Sequence, residues 1–554
     1  MRLQYIFIFI LACFSFGVFA QDMEQYTSPW EGKITNSNTF SLAIEIDGIL
    51  SGNPMVTIAN DSVILKKQFE KAENKSIRFN VGENLSFEGS FSKENNQING
   101  FIKSGILLYH VKLNKIKADS FRGVWNILMV DELKSQRFYL SVENGSGNEF
   151  QAYPFFGDNR FTGTWCRNFQ KKNDTIYFSD GKTGLNFKGK LLNEKIKLSI
   201  YLDEYIITEI VLYKSVTDWF IGDFKTNKNQ KTYQILRLDT MEKLIATDSL
   251  PNTHSVLVLK QGKTIYENYF GGYTNSIPHD TRSVSKSVSS AMVGIAKDKG
   301  LFANVNQSVF DFLPREYQVY RDTLKSNIDI KSLLTMSSGL DAIDFGVEGV
   351  SKGSEGNYQN SPDWTKTIMS APMLYKPNTV ANYGSANPHL LGIAIDSIVS
   401  EPLAMFMDTN LFSKLGISNY IIQTDNVGNP YFGGGMYLTP RDMGKFGQLY
   451  LQQGRWEGEQ IVSEDWVEDS FKNYRNLENT IDKNGYGYLW WHKDYLVNDR
   501  IVKSIEARGT GGQYIFVIPA LEVVVVITSG NYRNGKFQQP EFIVENFILP
   551  SVLN

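Results

Sequence analysis

Ser283-Val284-Ser285-Lys286 sets a hydroxyl and an amine three residues apart, a spacing that brings both onto one face wherever the chain is helical. The run that follows, Val284, Val288, Met292, Val293, Ile295 and Ala296, has helical apolar periodicity. It ends in Lys297-Asp298-Lys299-Gly300, a basic last turn before a glycine stop. The free N–H groups and positive dipole at the start of such a helix favour an oxyanion nearby. A lysine at its usual pKa of about 10.4 is no base at neutral pH. Burial and neighbouring cations can lower it until it takes the serine proton. The chemistry on offer is nucleophilic attack by Ser283, activated by Lys286.

Two other S-x-x-K strings are set aside. Ser90-Phe91-Ser92-Lys93 continues a strand pattern in which positions three apart face opposite ways, and Ser179-Asp180-Gly181-Lys182 sits in an Asp-Gly turn between strands. Gly349-Val350-Ser351-Lys352-Gly353 matches the nucleophile elbow in letters, but lacks the buried strand before it and the helix after it. No histidine is well placed to complete a Ser-His-Asp triad. His254, His279, His389 and His492 show no metal-ligand spacing, so neither metal nor cofactor is expected.

Two segments accompany the serine and lysine. Asn382-Tyr383-Gly384-Ser385-Ala386-Asn387 places Tyr-x-Ser in a turn before the apolar helix Leu390–Val399, and Ala507-Arg508-Gly509-Thr510-Gly511-Gly512-Gln513 gives a glycine-rich strand start able to bring N–H groups against a ligand. In this order the segments resemble the penicillin-recognising serine hydrolases: class C β-lactamases, D-aminopeptidases, related esterases and 6-aminohexanoate-oligomer hydrolases. Leu333–Leu340, Gly433–Met443 and Gly485–Trp491 are similar to recurrent segments of the same group. The resemblance covers about 235–554 and none of the preceding chain.

The resemblance implies that Ser283 is the acylated nucleophile, Lys286 its activator and Tyr383 the acid/base group that shuttles the proton to the leaving group. It implies an oxyanion hole from the backbone N–H groups of Ser283 and Thr510, in a register that could slip by two because Gly509-Thr510-Gly511 also fits. Ser385, Asn387, Gly509 and Gln513 are its substrate-binding candidates. Ala507 stands where β-lactamases and carboxypeptidases usually hold Lys or His to meet a substrate carboxylate. Efficient β-lactam turnover is therefore not expected, unless Arg508 points inward to replace that cation. Trp490-Trp491 reads as core before pocket wall, and Thr439-Pro440-Arg441-Asp442 as a helix start.

The surrounding elements must hold this constellation. The 554 residues are 42% hydrophobic and 21% charged, with Lys+Arg 56 against Asp+Glu 59; this is an ordered chain with no field to draw nucleic acid. Residues 1–20 read as a secretory signal peptide, leaving Cys166 as the one mature cysteine and no integral membrane segment. From about Trp30 to Ser215, alternating apolar and polar residues predict half-buried antiparallel strands. Phe40–Ile46 and Phe138–Glu143 lie 98 positions apart, and Ile77/Phe79/Leu85/Phe87/Gly89 is echoed by Ile176/Phe178/Leu185/Phe187/Gly189. A tandem repeat follows: a β unit at 21–118, a second at 119–215, and a linker at 216–234. His110 reads as isolated and Cys166 as a buried apolar cysteine, so this half is assigned no chemistry and its ligand stays unknown.

In 235–554, Met241–Ala246 reads as helix, Ser255–Lys260 and Lys263–Phe270 as a hairpin, Gln513–Ile518 and Leu521–Thr528 as a strand pair, and Phe542–Leu549 as a closing helix. Strands from both ends with helices between predict one α+β domain. The resemblance makes it a β-lactamase-like antiparallel sheet with a helical subdomain, behind an all-β region of two repeated units. The expectation is a periplasmic or secreted serine hydrolase that opens a small or peptide-like ester or amide. The rivals are a penicillin-binding sensor that acylates without turnover and a non-enzymatic protein that binds through its β repeats.

Overall fold

The computed structural model describes Met23 and residues 25–553, apart from 36, 62–63, 70–75, 83–84, 93, 95, 129–136, 145–149, 157–165, 216–237 and 533. The expected signal at 1–20 and the whole of the expected linker at 216–234 fall outside the described residues. Among the described residues no helix is long and apolar enough to cross a membrane.

Period-two alternation does form strands through the first part of the chain. Ser41–Asp47 buries every second side chain, as one face of a pleated strand must. The repeat is visible in the register. Ile77 pairs Gly89 and Phe79 pairs Phe87 in one unit; Ile176 pairs Gly189 and Phe178 pairs Phe187 in the other. Both phenylalanine pairs stack, with ring centroids 5.0 and 4.7 Å apart. Each unit is a curled antiparallel sheet.

The pairing departs from the expected boundaries at one strand in each unit. Ser120–Asn126 follows Leu107–Lys117 through a tight turn and pairs back onto it and onto Ser41–Asp47, so it belongs to the first sheet. The corresponding strand of the second sheet is Trp30–Lys33, from the start of the chain, held between Arg137–Asn144 and Tyr205–Lys214. The first strand among the described residues therefore closes the second unit.

The later region builds its sheet from distant segments. In spatial order it runs Lys263–Tyr269, Thr253–Lys260, Val523–Ser529, Gln513–Ile518, Arg500–Gly509, Trp491–Val497, Gly485–Tyr486 and Arg475–Asn476. Gln261 and Gly262, both at positive φ, make the tight turn of the first hairpin. Val523–Ser529 is buried at every position because helices cover both faces: Pro440–Leu451 on one, Leu238–Ala246 and the closing helical segments from Gln539 to Leu553 on the other. Ser285–Asp298, the helix after the S-x-x-K serine, runs almost wholly buried between this sheet and Ala386–Asp396.

The two regions share sheet and core. Ile421–Gln423 adds to the edge of Leu107–Lys117, with Ile421 opposite Tyr109. Phe101 packs into the helical core of the later region, while Tyr273, Ile277, Ile421 and Tyr437 join the core of the β units. His110 is not isolated. Its Nδ1 lies 2.8 Å from the Ser418 carbonyl, its Nε2 3.3 Å from the Asp408 carboxylate, and its ring stacks on Tyr420 at 4.7 Å. A histidine that joins two distant segments has no local sequence signature. Cys166 is half-buried, and its Sγ accepts from the Ala152 amide at 3.1 Å.

Candidate active site

Ser283 sits in a single 3-10 turn, Arg282–Val284, that runs into the helix Ser285–Asp298. Arg282 holds φ +50°, a left-handed conformation that costs a non-glycine residue of order 1 kcal/mol or more and persists only where its surroundings enforce it. They do. The Arg282 amide donates to Asp280 Oδ1 at 3.0 Å, the Thr281 amide and hydroxyl both donate to the Met436 carbonyl at 2.8 Å, and Ser285 Oγ donates to the Arg282 carbonyl at 2.6 Å.

Lys286 lies one turn on and is buried. Its Nζ is 2.9 Å from Ser283 Oγ and 2.9 Å from Ser385 Oγ, and it donates to the Gly433 carbonyl. Burial lowers its pKa to about 8, assisted by Arg282 and opposed by Glu355 and Asp344. At that value a substantial fraction is neutral amine near pH 7 to 8.

Tyr383 occupies the turn before Ala386–Asp396. Asn479 clamps this turn, its Oδ1 accepting from the Tyr383 amide at 2.8 Å and its Nδ2 donating to the Tyr383 carbonyl at 3.2 Å. Burial pushes the phenol far above its ordinary range, while the nearby Ser283 hydroxyl pulls the other way. Tyr383 is thus a neutral phenol that lines the same cavity as Ser283, with the Lys286 Nζ 5.1 Å from its ring centre. Gly384 is required beside it, since a Cβ there would lie 1.8 Å from the Ala342 carbonyl oxygen. Behind Ser385 stands Asp344, whose Oδ2 accepts from the Ser385 amide and hydroxyl. Burial and the repulsion of Glu355 raise its pKa to about 6.

The strand Arg500–Gly509 ends against the nucleophile's turn. A Cβ at Gly509 would meet the Thr281 carbonyl oxygen at 2.3 Å and Arg282 Cβ at 3.3 Å, so this glycine permits the approach and Thr510 follows beside Ser283. That contact favours the register with Gly509 as the close-packed glycine. Gly511 instead faces the Tyr532 ring.

Two cavities meet at Ser283 and Thr510. The larger, about 380 Å³, is walled by Phe345, Tyr383, Trp491, Arg508 and Tyr514, within the size range of small-molecule sites. The smaller, about 130 Å³, is lined by Lys182, Arg282, Glu355, Gln423 and Tyr431. Arg508 does reach the larger cavity, but its charge is taken up by Glu506 at 2.7 Å and Glu541 at 3.3 Å, and its guanidinium lies over Trp491 at 4.9 Å. Ala507 points into the core.

Ser283, Lys286, Tyr383, Ser385, Gly509 and Thr510 converge. Asn387 and Gln513 do not and are corrected. Asn387 is buried beneath the turn, donating to the Gly384 carbonyl at 3.1 Å, and Gln513 braces the sheet through the Ser529 carbonyl; both line neither cavity. Trp490 is core as expected, whereas Trp491 faces the larger cavity. Sequence reasoning missed Asp344, in the irregular stretch after Leu340, Glu355, at the start of the one-turn helix Glu355–Tyr358, and the Gly433 carbonyl. It also set aside Lys182, whose buried Nζ lies 3.4 Å from Asp280 Oδ2 and 5.4 Å from the centre of the Tyr437 ring. Burial lowers that ammonium's pKa and Asp280 raises it.

A family model described as Beta-lactamase matches residues 251–542, and the chain belongs to the beta-lactamase family. It is 24% identical over 293 residues to the 6-aminohexanoate-dimer hydrolase of Paenarthrobacter ureafaciens, covering 50% of this chain and 71% of that one. Similar solved structures include a D-stereospecific amidohydrolase from Streptomyces sp., at 14% identity and TM-score 0.42 over 54% of this chain and 95% of that one. A penicillin binding protein from Bacillus halodurans is similar at 18% identity and TM-score 0.41, over 52% and 96%.

Proposed function

We propose that this protein is a serine hydrolase that opens an ester or amide through an acyl-enzyme on Ser283. The observation that carries this reading is the placement of the Lys286 Nζ 2.9 Å from Ser283 Oγ in a site that brings its pKa down to about 8. The serine proton passes to the neutral amine as Oγ attacks the carbonyl carbon. The developing oxyanion turns to the backbone N–H groups of Ser283 and Thr510. As the bond to the leaving group breaks, Tyr383 gives that group a proton and regains one from Lys286. Water then attacks the acyl-enzyme, losing its proton to the Tyr383–Lys286 pair, and the acid departs as Ser283 recovers its hydrogen. Ser385 steadies Lys286 and is steadied by Asp344.

Ala507 in place of a cation, together with a relative named for hydrolysing 6-aminohexanoate dimer, favours linear esters and amides over β-lactams. The opening residues, with Arg2 ahead of an apolar run, favour export, and we place the reaction in the periplasm or outside the cell.

The test is labelling with a fluorophosphonate, followed by steady-state assay on a chromogenic ester. Ser283→Ala should lose the label, and the wild type should turn over steadily. A label that survives in the variant would remove Ser283 from its role, and a burst without turnover would mark an acylated sensor instead.

A further inference from the structure

The nucleophile's turn is held from the β region by two separate routes. The first runs through the sheet of the first β unit, which does not stop at the edge of that unit. Leu107–Lys117 pairs with Ile421–Gln423, Ile421–Gln423 with Met436–Leu438, and Met436–Leu438 with His279–Asp280. The ladder that starts in the β region thus ends at Asp280, three residues before Ser283.

The second route is an ion pair. Lys182 comes from the turn of the second β unit between Thr175–Asp180 and Leu185–Leu192, and its Nζ lies 3.4 Å from Asp280 Oδ2, the two side chains being 2% and 1% exposed. Lys182 is engaged elsewhere too, its backbone amide donating to Asp180 Oδ1 at 3.1 Å and its ammonium lying beside the Tyr437 ring. The other oxygen of Asp280, Oδ1, accepts from the Arg282 amide at 3.0 Å, and Arg282 Nη1 stands 3.6 Å from Oδ2. Arg282 is the residue at φ +50° immediately before Ser283, in the same 3-10 turn.

These contacts have a physical order. A carboxylate this deeply buried needs a cation beside it. Of the two cations at salt-bridge distance from Asp280 among the described residues, Lys182 is enclosed, whereas the Arg282 side chain is one-third exposed. As an anion, Asp280 grips the Arg282 amide through a charge-assisted bond, and that grip offsets the cost of a left-handed conformation at a non-glycine residue. Without Lys182 the carboxylate loses its enclosed counter-charge and must turn toward water or toward the Arg282 guanidinium. Either movement takes Oδ1 off the Arg282 amide, and relaxation of Arg282 carries Ser283 away from the Lys286 Nζ, now 2.9 Å from its Oγ.

We infer that Lys182 is a positioning residue for the nucleophile: acting through Asp280 and Arg282, it holds Ser283 in attacking geometry, so the second β unit takes part in the reaction at a distance of one ion pair. This inference rests on the hydrolase reading.

The test is a double-mutant cycle on the full chain, read by the time course of fluorophosphonate labelling. The limiting rate constant at saturating probe reports the geometry of Ser283, the half-saturating concentration reports probe binding, and the final extent reports the folded fraction. Lys182→Met should cut the limiting rate at least about tenfold, with the half-saturating concentration within about twofold of wild type. In Asp280→Asn the side-chain carbonyl can still accept from the Arg282 amide and no longer needs a cation, so adding Lys182→Met to Asp280→Asn should change the rate less than about twofold. The double variant leaves no buried carboxylate without its cation, and it carries the comparison should Lys182→Met alone fail to fold. A Lys182→Met rate equal to wild type, whatever its melting temperature, or a tenfold slowing by Lys182→Met within the Asp280→Asn background, overturns the positioning role. If Ser283 of the wild type takes no label at all, the hydrolase reading beneath it fails instead.

Discussion

Asp344 accepts from Ser385 twice, from the amide at 2.8 Å and from the hydroxyl at 2.6 Å, while that same hydroxyl lies 2.9 Å from the Lys286 Nζ. The carboxyl and the amine are thus linked through one serine, and each charge favours the charged form of the other.

The active form of Lys286 on the proposed reading is the neutral amine. The kcat/KM for a chromogenic ester should rise with pH through a limb near 8, the value to which burial brings this lysine. Asp344→Asn removes an anion that favours the ammonium, so the limb should move to lower pH. A limb that stayed in place would disconnect Asp344 from the titration.

Asp344 also leaves a mark on stability. Its pKa rises from an ordinary 3.8 to about 6 in the fold, so between those values the native state holds more proton than the unfolded chain. Stability contributed by this group is full below pH 3.8 and is lost as pH rises through 6. The melting temperature of Asp344→Asn relative to wild type should therefore climb between pH 4 and pH 6.5 and level off above. A gap independent of pH would contradict the raised value.

Lys286→Met and Tyr383→Phe should each reduce turnover at least about a hundredfold, the usual scale for lost acid/base help. Far-ultraviolet circular dichroism should stay close to wild type. Near-full activity in either variant would dismiss that residue from its role.

Gly509→Ala would drive a methyl group to 2.3 Å from the Thr281 carbonyl oxygen. The strand must retreat from the nucleophile's turn, taking Thr510 with it. Activity should fall by about a hundredfold or more if Thr510 supplies one oxyanion donor, alongside a stability loss of about 1–3 kcal/mol, read by denaturant unfolding.

His110→Ala tests the junction between the regions. It removes the ring that stacks on Tyr420 and leaves the Ser418 carbonyl without its side-chain partner. A loss of about 1–3 kcal/mol in unfolding free energy is expected. An unchanged melting temperature would show that the junction does not depend on this histidine.

Much of this fold could be read in the residues. Period-two alternation gave the β units, and the spacing of Phe79/Phe87 against Phe178/Phe187 disclosed their repeat before any register was known. Ser283, Lys286, Tyr383 and Ser385 were legible because each lies in a short string whose local geometry is set by neighbours. Asn387 and Gln513 were misassigned because adjacency along the chain was taken for adjacency in space; one faces beneath its turn and the other into the sheet. Asp344, Glu355 and Lys182 were illegible for a different reason. Their placement depends on a loop without periodicity and on docking between regions, and no local pattern in a single sequence encodes either. Lys182 was dismissed for being in a turn, which is true of its backbone and silent about where a long side chain ends.

The strand Trp30–Lys33 leaves the ribosome before the other strands of its sheet and waits longest for its second neighbour, since Tyr205–Lys214 is made some 175 residues later, on the order of ten seconds or more of synthesis. Without it the second sheet has an open slot between Arg137–Asn144 and Tyr205–Lys214, with unsatisfied amides on both sides. A chain shortened at its front by proteolysis would keep that slot, and the matching segment of a neighbouring copy has the right sequence to fill it. A preparation trimmed through Lys33 should therefore aggregate through the open edges of that slot, not merely lose stability.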